Sequence, residues 1–236
     1  MSIGNTGIID LPQPKRVSLS ESVADTIAEA IATRIIVPGE RIVESSLVEK
    51  LGVSRVPVRE ALKVLHAQGI LTGGGHRGYR VAVFDPDTTQ QVMEVRLSLE
   101  TFLLRDAIQN WRAGVEDPRA LQKPIDDMKA SARAGSLRNS LMADLDFHRA
   151  IRVAARNPVV GTLWDTIARH VLIVFNFDRY RDEDLDAIPR QHEEFRDQIM
   201  TLIAQPTTKL DGLYAALEDH MLLIERKKSR RSTVGL

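Results

Sequence analysis

The chain has 236 residues, carries 32 Lys plus Arg against 32 Asp plus Glu, and contains no cysteine. That length accommodates two domains with real cores, and zero cysteine excludes disulfides and thiolate metal sites. No uninterrupted apolar run approaches the roughly 20 residues of a membrane span, and the opening MSIGNTGIIDLPQPKR lacks the apolar stretch of a secretion signal. The expectation is therefore a cytoplasmic protein without a membrane partner. Overall neutrality argues against a protein that coats nucleic acid. Residues 41–80 nevertheless hold seven basic against three acidic side chains, a local balance of +4. Aromatics are only 5% of the chain, and helical periods dominate, so a mainly α protein is expected.

Residues 1–17, with Pro12 and Pro14, read as a flexible N-terminal arm. A first domain then spans 18–84. Leu19, Val23, Ile27, Ala30, Ile31 and Ile35 recur at helical spacing, with Ser18 or Ser20 placed to cap and Val37-Pro38-Gly39 to end the helix. A second helix over 45–51 buries Leu47, Val48 and Leu51, and Gly52 supplies a left-handed stop. Ser54 is placed to cap a third helix, with Pro57 in its first turn and Gly69 at its end. Ile70-Leu71-Thr72 and Tyr79 to Val83, joined by GGGHRG, read as a hairpin. Phe84-Asp85-Pro86 marks the boundary.

Beyond it, Asp87 can cap the first of about six helices, at 87–112, 118–134, 137–156, 159–179, 187–205 and 208–228. Gly114, Asp117-Pro118, Gly135-Ser136, Asn157-Pro158, the acidic turn at 182–186 and Gln205-Pro206 punctuate them. This second domain, 87–228, is followed by a basic tail, 229–236.

Two constellations carry chemistry. On the third helix, Val58, Ala61, Leu62 and Leu65 share one face, while Arg55, Arg59, Lys63 and His66 occupy the other. A helix fits the major groove, and Arg is the commonest side chain to pair bidentately with guanine there. An i, i+4 arginine pair is equally consistent with a solvated face. In the second domain, Asp144 and His148 are four apart on a face shared with Leu141, Leu145 and Ile151. His192 falls among Ile188, Phe195 and Ile199, and His220 among Leu213, Leu217 and Ile224. Each histidine thus sits on an apolar face. They are either separate core histidines with ordinary partners or ligands converging on a divalent metal.

The run from Gly39-Glu40-Arg41 through Leu51-Gly52-Val53-Ser54-Arg55 and Pro57-Val58-Arg59-Glu60-Ala61-Leu62 to Arg77-Gly78 resembles the winged helix-turn-helix of the GntR family of bacterial transcription regulators. The bundle with D-x-x-x-H and two later histidines resembles the FCD effector domain of that family's fatty-acid-regulator branch. The implied fold is a winged helix-turn-helix followed by an all-α bundle. The implied function is a DNA-binding regulator, more often a repressor, working on double-stranded operator DNA as a homodimer and not as an enzyme. Carried over by position, the DNA contacts fall on Ser54, Arg55, Val56, Arg59, Gly75, His76 and Arg77. Ser45 stands where members often carry a DNA-contacting arginine, and Val56 where Thr is commoner, so the contact set is expected to differ. The metal ligands would be Asp144, His148, His192 and His220, around a divalent ion of zinc, nickel or manganese type. The effector would be a small carboxylate or hydroxy-acid, met by Arg96, with Asn176 and His170 lining the cavity. Arg96 has a competing assignment as an ion pair with Glu100. The dimer face would fall on Val92, Val95, Leu99, Phe102 and Leu103. Rival implications are a metal-dependent hydrolase or oxygenase fused to a DNA-binding module, or a regulator with a purely structural metal.

Overall fold

The computed structural model describes residues 19–74, 78–178, 185–207 and 209–232, with side chains described as far as 174 in the seventh helix and 221 in the last. The N-terminal domain contains α1 (Leu19–Ala32), β1 (Arg41–Ile42), α2 (Glu44–Leu51), α3 (Arg55–Ala67), β2 (Leu71–Gly73) and β3 (Tyr79–Val81). Val23, Ala24, Ile27, Ala28 and Ile31 of α1 pack on Val58, Ala61, Leu62 and Leu65 of α3 in one buried cluster. The three strands form an antiparallel sheet in the order β1-β3-β2, with Thr72 opposite Arg80 and Gly73 opposite Tyr79.

Several boundaries differ from those expected. Helix α1 stops at Ala32, because Arg34 turns left-handed at φ 59°, before the proline is reached. Ile35 consequently lies outside the helix and is exposed. The hairpin gains β1 as a third strand. Ser54 does occupy the cap position of α3 with extended backbone, but its hydroxyl makes no capping bond. Gly73 is required where it stands. At φ +86°, a Cβ there would meet the Gly78 carbonyl oxygen at 2.6 Å.

The second domain comprises α4 (Pro86–Arg112), a 3-10 turn (Pro118–Leu121), α5 (Gln122–Arg133), α6 (Leu137–Ala155), α7 (Pro158–Asp178), α8 (Ala187–Ala204) and α9 (Leu210–Ser232). The capping residue of α4 is Asp85 rather than Asp87. Its carboxylate accepts from the Thr88 amide at 2.7 Å, and Pro86 fills the first turn, where no N–H is needed. Helix α4 is the spine, packing against α6, α7, α8 and α9. Leu103, Leu104, Ala107 and Ile108 of α4 join Phe147 of α6, Trp164 of α7 and Phe195 of α8 in the bundle core.

The two domains meet along α1 and α7. Arg169 of α7 donates to Glu21 at 2.5 Å, to Asp25 at 2.8 Å and to the Gln68 side chain at 3.2 Å. Next to it, His170 Nε2–H donates to the Gln68 carbonyl at 2.7 Å, and its ring meets Phe84 edge-on. His170 therefore belongs to the domain junction, not to a cavity within the bundle. Burial there pushes its pKa down.

Candidate functional site

Three helices each deliver one histidine to the middle of the bundle. His148 of α6, His192 of α8 and His220 of α9 are buried, and their ligand-capable nitrogens all lie within 4.8 Å of one another. The His192 and His220 rings stand perpendicular with centroids 4.7 Å apart, and Phe195 stacks on His220 at 4.2 Å. Phe147 meets all three imidazoles, with ring centroids 5.6, 4.9 and 6.5 Å from those of His148, His192 and His220. Of the apolar neighbours read from the sequence, Leu141, Leu145, Ile151, Ile188, Phe195, Ile199, Leu213 and Leu217 are buried, and the side chain of Ile224 lies outside the described residues.

The polar contacts are unusual for a core. His192 Nδ1–H donates to the Ile188 carbonyl at 2.9 Å, one turn back on α8. A carbonyl can only accept, so Nδ1 carries a proton, and in the neutral ring the lone pair is on Nε2. That lone pair lies 3.0 Å from Asp144 Oδ1. His148 Nδ1 lies 2.8 Å from Glu100 Oε2. Among the described residues, His148 Nδ1, His192 Nε2 and His220 Nδ1 are buried without an aligned hydrogen-bond partner. With the ring neutral, two acceptors facing each other at 3.0 Å repel unless a proton or a metal ion lies between or beside them. Two ligands about 2.1 Å from one ion, at right angles, would stand about 3.0 Å apart. The three imidazoles fit a divalent metal, while Asp144 stands beside His192 and outside the set of ligand atoms that lie within 4.8 Å of one another.

The sequence did not single out Glu100 as a member of this centre. Its carboxylate is buried on α4 and is held from three sides. Arg96 Nε donates to Oε1 at 2.7 Å, the Trp164 indole N–H donates to Oε1 at 3.0 Å, and His148 faces Oε2. The available signal was a charge pair at i, i+4 on the face that also carries Leu97, Leu103, Leu104 and Ala107. Arg96 is itself buried, and the contact with Glu100 is the ion-pair assignment weighed against an effector role. Burial alone would push both carboxyls up. For Glu100 the Arg96 guanidinium, then His148 and Trp164, outweigh it and hold the group well below the usual carboxylate range. For Asp144 the opposing groups are His192, His148 and Arg96, with the same result. His220 goes the other way from an imidazole's ordinary value: burial first, then His192, His148 and Arg96, push it well down. Ionised Glu100 and Asp144 beside a neutral His220 are the protonation states that metal ligation needs. The side chain of Asn176 lies outside the described residues.

At the other end of the molecule, Ser54, Arg55, Val56 and Arg59 are all exposed on α3, opposite its buried face. They form a continuous outward surface at the start of the helix. Ser45 of α2 is exposed as well. Gly75, His76 and Arg77 lie outside the described residues.

Known proteins place both halves. Residues 19–81 match the bacterial regulatory proteins of the gntR family, and residues 91–221 match the FCD domain. The chain is 28% identical over 184 residues to a probable D-xylose utilization operon transcriptional repressor of Paenarthrobacter nicotinovorans, covering 78% of this chain and 80% of that one. It is 27% identical over 153 residues to the gluconate operon transcriptional repressor of Bacillus subtilis, covering 64% and 61%. The fold is shared with Escherichia coli McbR/YncC, at a TM-score of 0.74 and 19% identity, over 92% of this chain and 100% of that one. With a winged helix-turn-helix bearing an exposed basic helix and a bundle of the FCD type behind it, the chain belongs to the GntR family of DNA-binding transcriptional regulators, in the branch that carries an FCD domain.

Proposed function

We propose that this regulator is a repressor whose operator affinity answers to a small carboxylate or hydroxy-acid gathered at a divalent metal in the FCD bundle. The observation that carries the metal reading is His192: its Nδ1–H is committed to Ile188, and its buried Nε2, with no aligned hydrogen-bond partner, faces the Asp144 carboxylate at 3.0 Å. His148, His192, His220 and Asp144 would hold the ion, and the ion would supply a Lewis-acidic anchor for a carboxylate. Arg96 and Glu100 would serve beside it, Glu100 by fixing the His148 ring through Nδ1. Relatives named as a probable D-xylose utilization operon repressor and a gluconate operon repressor are consistent with a metabolite signal. No described helix is long and apolar enough to cross a membrane, in keeping with a cytoplasmic regulator.

On the DNA side, Ser54, Arg55, Val56 and Arg59 are the residues of α3 that meet the operator. The missing arginine at Ser45 leaves the readout resting on α3 and the wing. The working unit is a homodimer, because two half-sites about one DNA turn apart call for a two-fold protein. Val95 and Phe102 on α4 and Leu163 on the adjacent α7 are exposed apolar side chains suited to that interface. Val92 and Leu103, expected at the same face, are instead buried within the protomer.

Two measurements test this. Protein purified without chelator is expected to carry about one divalent ion per chain, and His192→Ala to lose it. Protein that binds none even after incubation with zinc, nickel or manganese would leave His192 and Asp144 as a protonated ion pair and remove the metal. Arg55→Ala and Arg59→Ala are each expected to weaken operator binding by roughly 1–3 kcal/mol. Unchanged affinity in both would remove α3 as the reading helix.

A further inference from the structure

Arg59 does not stand alone on the exposed face of α3. Its Nε–H donates to both carboxylate oxygens of Glu44, at 2.9 and 3.0 Å. Glu44 is the first residue of α2, fifteen positions earlier, so the pair ties the start of one helix to the second turn of the next. The arginine side chain is 60% exposed and the glutamate 32%. As a stabilising contact, an exposed pair of this kind is worth little. Its position gives it another consequence. The surrounding segment 41–80 is basic by +4, and Glu44 is an acid placed beside the helix that faces an anionic polymer.

We propose that Glu44 is a specificity-determining residue of the DNA-binding face, acting through Arg59. The inference rests on the reading of Arg59 as a base contact. The carboxylate holds the guanidinium by its inner nitrogen, so the two terminal nitrogens form the edge offered to a guanine, a bidentate geometry that a freely rotating arginine reaches only part of the time. The same carboxylate repels phosphates. An arginine that Glu44 did not restrain would settle on any backbone phosphate, a contact that adds affinity and carries no sequence information. Glu44 therefore works in two directions at once. It lowers binding to DNA in general and preserves binding to the right sequence, the arrangement by which discrimination is gained from an unfavourable interaction with the wrong partner.

The test uses the full chain and two duplexes of equal length, one selected from a randomised pool by the wild-type protein and one scrambled. Affinities for both are measured for wild type, Glu44→Gln and Arg59→Ala, across a salt series. Glu44→Gln is expected to bind the scrambled duplex several-fold more tightly, to bind the selected duplex no more tightly, and so to lose about tenfold in the ratio of the two, the scale of one base contact. Its dependence on salt should steepen by up to about one ion, as a basic side chain is released to a phosphate. A purely structural defect would weaken both duplexes together. If Arg59→Ala lowers the ratio but Glu44→Gln leaves it unchanged, the role of Glu44 is overturned and the Arg59 contact stands. If neither variant changes the ratio, the Arg59 contact falls and the inference falls with it.

Discussion

Replacing Glu100 by Gln removes one negative charge from the middle of the bundle while keeping the size of the side chain. Glu100 and Arg96 are 4% and 3% exposed at their side chains. The amide oxygen can still accept from Arg96 and Trp164, but the guanidinium loses the carboxylate 2.7 Å from its Nε. Breaking a buried pair from one side costs about 3–5 kcal/mol, and the retained acceptor places this change near 3. In a chain of this size each kcal/mol moves the midpoint by about 2–4 °C, so Glu100→Gln should melt about 6–12 °C below wild type. Circular dichroism at 222 nm, with and without chelator, reads this directly. The pH dependence supplies a second signature. The folded-state pKa of Glu100 is depressed, so its contribution is present above the unfolded-state pKa near 4.3 and is lost as pH falls below it. The gap between the two proteins should therefore close in acid. A midpoint within 2 °C of wild type at pH 7.5 would refute the ion pair as the element holding Arg96 and, through His148, the histidine cluster.

Three other changes probe the domain junction, the histidine cluster and the outer face of α4. Arg169→Ala removes two ion pairs and the Gln68 contact that fasten α7 to the DNA-binding domain; with Glu21 and Asp25 largely exposed, the cost is about 1–2 kcal/mol. Limited proteolysis should then cut faster around Phe84 to Pro86, and an unchanged rate would argue that the junction is held elsewhere. His220 is depressed in the folded state, so metal-free protein should lose stability as pH falls below about 6.5, where the unfolded chain takes up the proton. His220→Gln should flatten that slope in thermal melts taken between pH 8 and 5; an identical slope would assign the effect to another group. Phe102→Glu places a charge on the exposed apolar stripe of α4 and should shift the protein toward monomer in sedimentation velocity, whereas an intact dimer would move the interface off that face.

Much of this molecule is legible from residue order because its signals are local. The bundle helices declare themselves through apolar periods interrupted by Gly135-Ser136, Asn157-Pro158 and Gln205-Pro206, and the observed ends fall within a few residues of those marks. The three histidines were found by the same means, since an imidazole on a stripe of Leu, Ile and Phe must point inward. Glu100 was weighed only as a partner for Arg96, because a carboxylate four residues from an arginine usually describes a solvated helix face. The packing of α6 and α7, which brings His148 and Trp164 against Glu100, turns that pair inward. The strand β1 is two residues long, too short to show any period. The union of α1 with α7, and the capture of the Gln68 carbonyl by His170, join residues more than a hundred positions apart. No local pattern encodes such a contact. Arg34 ended α1 by adopting a left-handed backbone that non-glycine residues seldom take, so the proline downstream was the wrong marker.

In the proposed regulator the state of the His148, His192 and His220 cluster sets the affinity of α3 for DNA. Operator binding measured by fluorescence anisotropy decides it most directly. The protein is stripped with chelator, reloaded with zinc, nickel or manganese, and titrated with a panel of small carboxylates and hydroxy-acids. Coupling between the two sites predicts an operator Kd that shifts at least about fivefold between some pair of these states, and by less in His192→Ala. An operator Kd that stays the same in every state, in protein shown to hold its metal, would contradict it.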